Sequence, residues 1–578
     1  MNPSLLLRQS VAVGLVLLSS CAAGTPTSLR FGQNGPGNGP GAINAGSRQV
    51  VPAAEDATAA SGAFLAGRLA GQHGDLDLAA SAFLRALAAD PGNQEILQQA
   101  FLTCLLAGRP EAAGLAAKQA GNPAAILVLG DIDARAGRWD RAAERFSKLP
   151  RQGATQVLQP LLTAWTQYGG GHPDVALATL QPYFADDRSR GVFALHAALI
   201  ADLSQRVPEA RRLYALARAN YPSINLDLAR EIASFEARDG QPDAARQLLT
   251  QMAAQSPEVS LAAAGLQRDV AAPQIRNATD GMAEVYLALA ATLRAQDSSE
   301  YAAILLRLAL DMRPDFTAAR LLSAEVQAQA GRSDAALTLL SGVGATDPLG
   351  PLVDVRRADL LRAADKVDEA LKVADRLIAK VPDRAEPYSL KGTLLRVAKR
   401  PAEAALAYDQ AVARIGTPAR GDWPLFYDRG IAHDQADQWQ AAQADFEKAL
   451  ALAPDQPEVL NYLAYAWTER GEDLPRARAM VQRAVARDPN DGAFVDSLGW
   501  VALRQGDVTE AVKQLERASE LMPEDATING HLGDAYQAAG RLREAAFQWQ
   551  RALTLKPEPK DAAHYQAGLK ALPASAAP

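Results

Sequence analysis

The chemistry open to this 578-residue chain is sparse. Its six histidines, His73, His172, His196, His433, His531 and His564, are scattered. No two stand four residues apart, and no His-Glu-x-x-His run could hold zinc on one helix face. Gly-x-Ser-x-Gly, the phosphate-binding Gly-Lys-Ser/Thr and the acidic calcium loop are all missing. The glycine-rich run GQNGPGNGPG has no strand before it and no helix directly after it, so it is not a phosphate cradle. Two aspartate pairs could begin a metal site. Asp131 and Asp133 fall on a helix, where side chains two apart diverge. Asp75 and Asp77 follow Gly74 in a turn. Nothing completes either site. The sequence therefore predicts no enzyme, no metal and no cofactor.

One residue does have chemistry prepared for it. Met1 to Ser20 carries a single arginine, Arg8, then an apolar run from Val11 to Leu18. That run is too short to span a bilayer and reads as a signal peptide over residues 1–20. It ends Leu18-Ser19-Ser20-Cys21, which resembles the bacterial lipobox, where a cysteine is lipidated and becomes the new N-terminus. Cys21 is thus the expected lipidation site. Ala22 follows it in place of aspartate, which by the same resemblance sends the protein to the outer membrane. Each buried methylene of the acyl chains would contribute about 0.8 kcal/mol of anchoring. Cys104 is the other cysteine, and a lipidated Cys21 leaves it no disulfide partner. It is expected as a small buried hydrophobe. Residues 21–60 are rich in Gly, Pro, Asn and Ser and read as a flexible tether, on the order of 35 Å long if random.

The rest of the chain must be read for surfaces, and that requires its elements. Ala526 to Pro559 sets the pattern. Counted from Ala526, Leu532 and Gly533 hold positions 7 and 8, Tyr536 holds 11, Ala545 holds 20, Trp549 holds 24, Ala552 holds 27 and Pro557 holds 32. This resembles the tetratricopeptide (TPR) repeat, a helix–turn–helix of 34 residues. Small residues let the two helices approach, aromatics fill between them, and proline stops the unit. One such unit cannot bury its apolar face alone, so neighbours are required. Pro523, Pro489 and Pro454 continue the comb backwards, and Pro382, Pro348 and Pro314 resume it beyond Gly416.

The predicted fold is all-α: a TPR α-solenoid, a right-handed superhelix of about 14 repeats in two arrays. The N-terminal array covers 61–258 and is degenerate, with six helical pairs. A junction at 259–281 loses the repeat phase and reads as a helix and loop, a natural hinge. The C-terminal array covers 282–559 in eight repeats. Arg414 to Trp423 inserts about four residues between repeats, and Gly471 to Pro475 lengthens one turn. Residues 560–578 hold a capping helix and tail, with Tyr565, Leu569 and Leu572 at helical spacing. The net charge of −7 is mild and no long basic run exists, so nucleic acid is not an expected partner.

Protein partners are. In TPR proteins, positions 2, 5, 9, 12 and 13 line the concave groove. Here those positions include Tyr427 and Ile431, Asn461 and Tyr465, Asp496, Trp500 and Arg504, then Asp534 and Gln537. Aromatics beside an arginine are what an interface core favours. Trp500 is surplus to the repeat's own core and is the predicted centre of contact. No repeat pairs Lys with Asn at positions 5 and 9, so a receptor for peptide C-terminal carboxylates is not supported. His196 and His531 share position 6 and are attributed to architecture.

The last three repeats, LNYLAYAWTERGEDLPRARAMVQRAV, DSLGWVALRQGDVTEAVKQLERA and HLGDAYQAAGRLREAAFQWQRAL, resemble the end of large proteobacterial TPR outer-membrane lipoproteins of the LbcA type. The likeness is sharpest from Leu460 to Leu553 and extends to the signal, the tether and the repeat layout. It implies a lipid-anchored adaptor facing the periplasm that binds a carboxyl-terminal processing protease and brings substrates to it. The alternative from the same residues is a structural TPR lipoprotein of an envelope assembly or polysaccharide-export machine.

Overall fold

The computed structural model describes residues 54–221, 225–268, 270–296 and 299–573. The signal segment, Cys21 and the tether as far as residue 53 lie outside the described residues, as do Pro222 and Asp269. Among the described residues every regular element is helical, with thirty α-helices, two short 3-10 turns and no strand. The first helix, Ala54–Gln72, begins inside the stretch assigned to the tether. Ala54 to Ala60 is alanine-rich and free of Gly and Pro, so helix propensity extends the repeat backwards there.

The last repeat shows how the sequence builds each unit. Asp525 caps the helix Ala526–Ala538, its carboxylate accepting from the Thr527 and Ile528 amides at 2.8 and 3.0 Å. Gly540 ends that helix in the left-handed region at φ 75°, and the Arg541 amide donates back to the Tyr536 carbonyl at 2.8 Å. The helix Leu542–Thr554 then returns along the first. Ala545, Trp549 and Ala552 are fully buried between them, as their spacing demands. The same left-handed turn recurs at Gly74, Gly108, Gly171, Gly331 and Gly506. Helices thus follow one another as fourteen pairs, six before residue 257 and eight from residue 278, with the single helix Pro257–Arg268 between. The insertion before Trp423 is a loop with a 3-10 turn, Arg420–Asp422. The lengthened turn runs through Gly471 to Asp473, which caps the helix Leu474–Arg487.

The chain forms two compact units, one ending at Lys366 and one beginning at Val367. The predicted break at 259–281 therefore falls inside the first unit. Its loop makes contacts on both sides: Ser234 Oγ donates to the Ala272 carbonyl at 2.9 Å, and Arg276 pairs with Asp280 at 2.9 Å. Asn277 caps the next helix, Ala278–Arg294, by accepting from the Asp280 amide. That helix packs on Thr155–Gly169, where a Cβ on Gly281 would lie 2.3 Å from the Trp165 ring. Tyr286 donates its hydroxyl to the buried Asp131 at 2.7 Å. Burial pushes the Asp131 carboxyl well up, while the Tyr286 hydrogen bond and Arg135 pull the other way. Arg135 reaches the Asp311 carbonyl at 3.3 Å. Asp131 and Arg135 hold positions 9 and 13 of their repeat, and Trp165 holds position 9 of the next. These are groove-lining positions. The groove of the N-terminal array is thus filled at these repeats by the chain's own next helices.

The suspected metal ligands have structural roles. Asp75 caps a helix, accepting from the Leu78 amide at 2.9 Å. Asp133 points away from Asp131 and gathers Arg138 and Arg145 at 2.7 and 2.6 Å. Cys104 is fully buried, and burial pushes its thiol up to about 11, so it is inert packing.

In the C-terminal unit the helix Pro559–Ala571 caps the stack as its spacing predicts. Tyr565 is buried against Gly530, and Gly568 lies against the far edge of the Trp549 ring. Leu569 and Leu572 join the same cluster.

Candidate functional site: the groove face of the last repeats

The first helices of the last three repeats are Pro457–Arg470, Gly492–Arg504 and Ala526–Ala538. They pack side by side, which decides the fate of each groove position. Position 5 is covered by the neighbouring repeat. Tyr427, Asn461 and Asp496 hold it, and all three are buried. Tyr427 sits among Trp423, Phe446 and Tyr462, each ring about 6.1 Å away. Asn461 is 2% exposed. Neither can touch a partner, which corrects their assignment to the contact surface. Ile431, at position 9, is buried as well. Asp534, at the same position in the last repeat, is occupied within the chain. It accepts from Trp549 Nε1 at 2.9 Å and meets His564 Nε2 at 3.0 Å.

Four of the predicted residues do come together, around a fifth that the sequence reading set aside. His531 donates Nδ1–H to Asp496, 3.0 Å from each carboxylate oxygen. The Trp500 ring stacks on the His531 ring at 4.0 Å and 12°. The Tyr465 ring stands 6.3 Å from the same imidazole, tilted by 38°. Trp500 Nε1 donates to Glu469 at 2.7 Å, and Arg504 stands over the indole with its guanidinium 5.8 Å from the ring centre. Arg504 and Gln537 are exposed, while Tyr465 and Trp500 are half-buried. The surface is therefore an aromatic ledge, Tyr465 and Trp500, edged by Glu469 and Arg504. Sequence alone pointed to the ledge by repeat position. His531 and Glu469 were missed because their roles depend on contacts one repeat away. Trp500 is not surplus to folding, since one ring face is committed to His531.

The two position-6 histidines have opposite electrostatics. His196 accepts from Trp165 Nε1 at 3.2 Å, and burial alone pulls it down to about 3. It is a neutral spacer. His531 is also opposed by burial, but the adjacent Asp496 carboxylate outweighs that and raises it. A raised imidazole contributes stability that is fully present below its unfolded value near pH 6.5 and is lost as pH rises through the folded value. Thermal melts across pH should show wild type ahead of Asp496→Asn by on the order of 2 kcal/mol at pH 6. The gap should narrow as pH rises; a constant gap would place the ion pair elsewhere.

Among the described residues no group of three or more His, Cys, Asp or Glu is placed to hold a metal ion, and no helix is long and apolar enough to cross a membrane.

The tetratricopeptide-repeat family pattern matches residues 355–419, 427–492 and 497–562. Those matched stretches carry tetratricopeptide repeats, and the described residues as a whole form an all-helical α-solenoid. It is 27% identical over 162 residues to the TPR repeat-containing protein PA4667 of Pseudomonas aeruginosa, a match that spans 28% of this chain and 27% of that relative. Among solved structures, it is similar to the Cut9–Hcn1 hetero-tetramer of the APC/C, with a TM-score of 0.36 at 15% identity over 88% of this chain and 96% of that one. A tetratricopeptide repeat protein from Parabacteroides merdae gives 0.36 at 15% over 43% and 96%. Tetratricopeptide-repeat folds are typically non-catalytic scaffolds that bind protein partners, and the ledge on the last repeats is the candidate surface for such binding.

Proposed function

We propose that the chain is a lipid-anchored scaffold of the bacterial envelope, facing the periplasm from the outer membrane. Its C-terminal groove holds a protein partner, with a carboxyl-terminal processing protease and its substrates as the first candidates. The observation that carries the reading is the Tyr465–Trp500–Arg504 ledge. It sets two large aromatic side chains and an exposed cation on adjacent repeats of a protein-binding fold. The lipobox ending at Cys21 and the resemblance of the last three repeats to lipoprotein adaptors support the location and the partner class. The groove of the N-terminal array is filled by its own chain at the repeats of Asp131 and Trp165, which favours the C-terminal groove as the docking face.

Affinity capture from detergent-solubilised envelopes, with wild type and Arg504→Ala as paired baits, tests the partner. A processing protease recovered by wild type and depleted from the variant supports the reading. Recovery of envelope-assembly or polysaccharide-export components instead would replace it with the structural alternative. The anchor has its own test. Radiolabelled palmitate should label wild type and leave Cys21→Ser unlabelled, and equal labelling of both would rule out Cys21 as the anchor.

A further inference from the structure

The N-terminal unit holds an open-mouthed cavity of about 40 Å³ between the helices Leu226–Arg238 and Ala278–Arg294. One water occupies roughly 10–15 Å³ on this measure, so the space suits about three waters or one small charged head group. Five carboxylates, Asp227, Glu231, Glu284, Asp315 and Asp347, and two guanidiniums, Arg230 and Arg313, line it. Asp227 and Glu231 lie one turn apart on the first helix, and Glu284 faces them from the second. Glu231 and Glu284 are each 6% exposed. Neither makes a direct hydrogen bond or ion pair with a described residue; Arg230 and Arg313 act on both through charge alone.

Arg230 and Arg313 stand on the same wall and their charges act on Glu231 and Glu284, but their direct contacts are with other residues. Arg230 donates to the Gln274 side chain. Arg313 contacts Asp315 at 3.4 Å and covers the Phe316 ring at 4.5 Å. Asp315 is itself 63% exposed, marks the mouth, and also meets Arg276 at 3.3 Å. Asp347 accepts from the Thr317 hydroxyl and from the Leu349 amide. Withdrawing a carboxylate from bulk water without a donor is expensive, and here two largely buried side chains present carboxylates to one small space. Such a pair is an acceptor set for a cation that brings its own N–H groups. A metal fits less well, because no three ligating side chains among the described residues converge on one point.

We propose that this cavity receives an organic cation with N–H donors, the ammonium or guanidinium of a basic side chain, held between Glu231 and Glu284. The site is independent of the groove reading above. Its pH dependence follows from the residues around it. Burial, and then Asp227, push Glu284 up to about 8; burial raises Asp227 and Glu231 as well, while Arg230 and Arg313 pull in the other direction. A cation binds the ionised carboxylates, so binding releases protons and tightens as pH rises toward the Glu284 value.

Titration calorimetry on the full chain in detergent tests this with Nα-acetyl-arginine amide, Nα-acetyl-lysine amide, spermidine and calcium or zinc chloride as probes. One organic cation should bind per chain, more tightly at pH 8 than at pH 6. Affinity should fall at least tenfold in Glu231→Gln and in Glu284→Gln, and stay unchanged in Glu144→Gln, whose side chain is on the surface. Preference for the amides identifies a partner's side chain as the source; preference for spermidine identifies a free polyamine. The glutamine variants remove a buried charge, so their thermal midpoints should hold or rise, and either variant alone carries the test. No saturable binding of any organic cation, binding that both glutamine variants retain, or binding of divalent metals only would overturn the proposal.

Discussion

Gly533→Leu should destabilise the last repeat by about 1–3 kcal/mol through overpacking, with the loss confined to the C-terminal end of the stack. The geometry explains why even a methyl is too much. A Cβ built on Gly533 would stand 2.5 Å from Trp549 Cδ1 and 2.6 Å from its Nε1. Trp549 cannot withdraw. It is fully buried, its Nε1 donates to Asp534 at 2.9 Å, and its far edge meets Gly568 of the capping helix. Relief must come from separating the two helices of the repeat or from lifting the cap. Hydrogen exchange should show lost protection from about residue 526 to 572 and native protection in the earlier repeats. Gly92→Ala is the control, because nothing lies within 4 Å of its added carbon. Unchanged protection around Trp549 in the leucine variant would mean that the repeat is less tightly packed than these distances require.

Trp500→Ala should weaken partner binding by about 2 kcal/mol or more, roughly thirtyfold. Stability should fall as well. The variant loses a ring stacked at 4.0 Å on His531, an interaction of about 0.5–1.5 kcal/mol beyond its buried area. Trp500 alone therefore cannot separate recognition from packing. Arg504 can, since it is exposed and its nearest acid, Glu469, is 4.0 Å away at the surface. A surface pair of that kind contributes about 0–1 kcal/mol to stability. Arg504→Ala should lower affinity with its thermal midpoint nearly unchanged. If Trp500→Ala lowers the midpoint while binding per folded molecule is retained, and Arg504→Ala binds normally, the ledge is inter-repeat packing. The proposed processing protease is the first partner to use.

The sequence alone determined the repeat, because its spacing is enforced locally. A residue near Gly533 must be small wherever two helices cross, and a left-handed turn must follow about seven residues later, so the comb of Gly, Ala and Pro states the fold without reference to distant contacts. The helix pairs, the inserted loop before Trp423 and the capping helix were legible for that reason. Groove positions 9 and 13 were half legible, since Tyr465, Trp500 and Arg504 do share a face. Position 5 was not. Tyr427, Asn461 and Asp496 are buried by the adjacent repeat, and repeat numbering does not record how closely neighbouring first helices pack. Only the tertiary structure put His531 under Trp500, because the two are on different repeats and meet through the stack. It also decided that the helix after the junction returns to Asp131 and Trp165. That contact joins residues more than a hundred positions apart. It depends on shape complementarity between a glycine and an indole, and no local pattern in the chain encodes it.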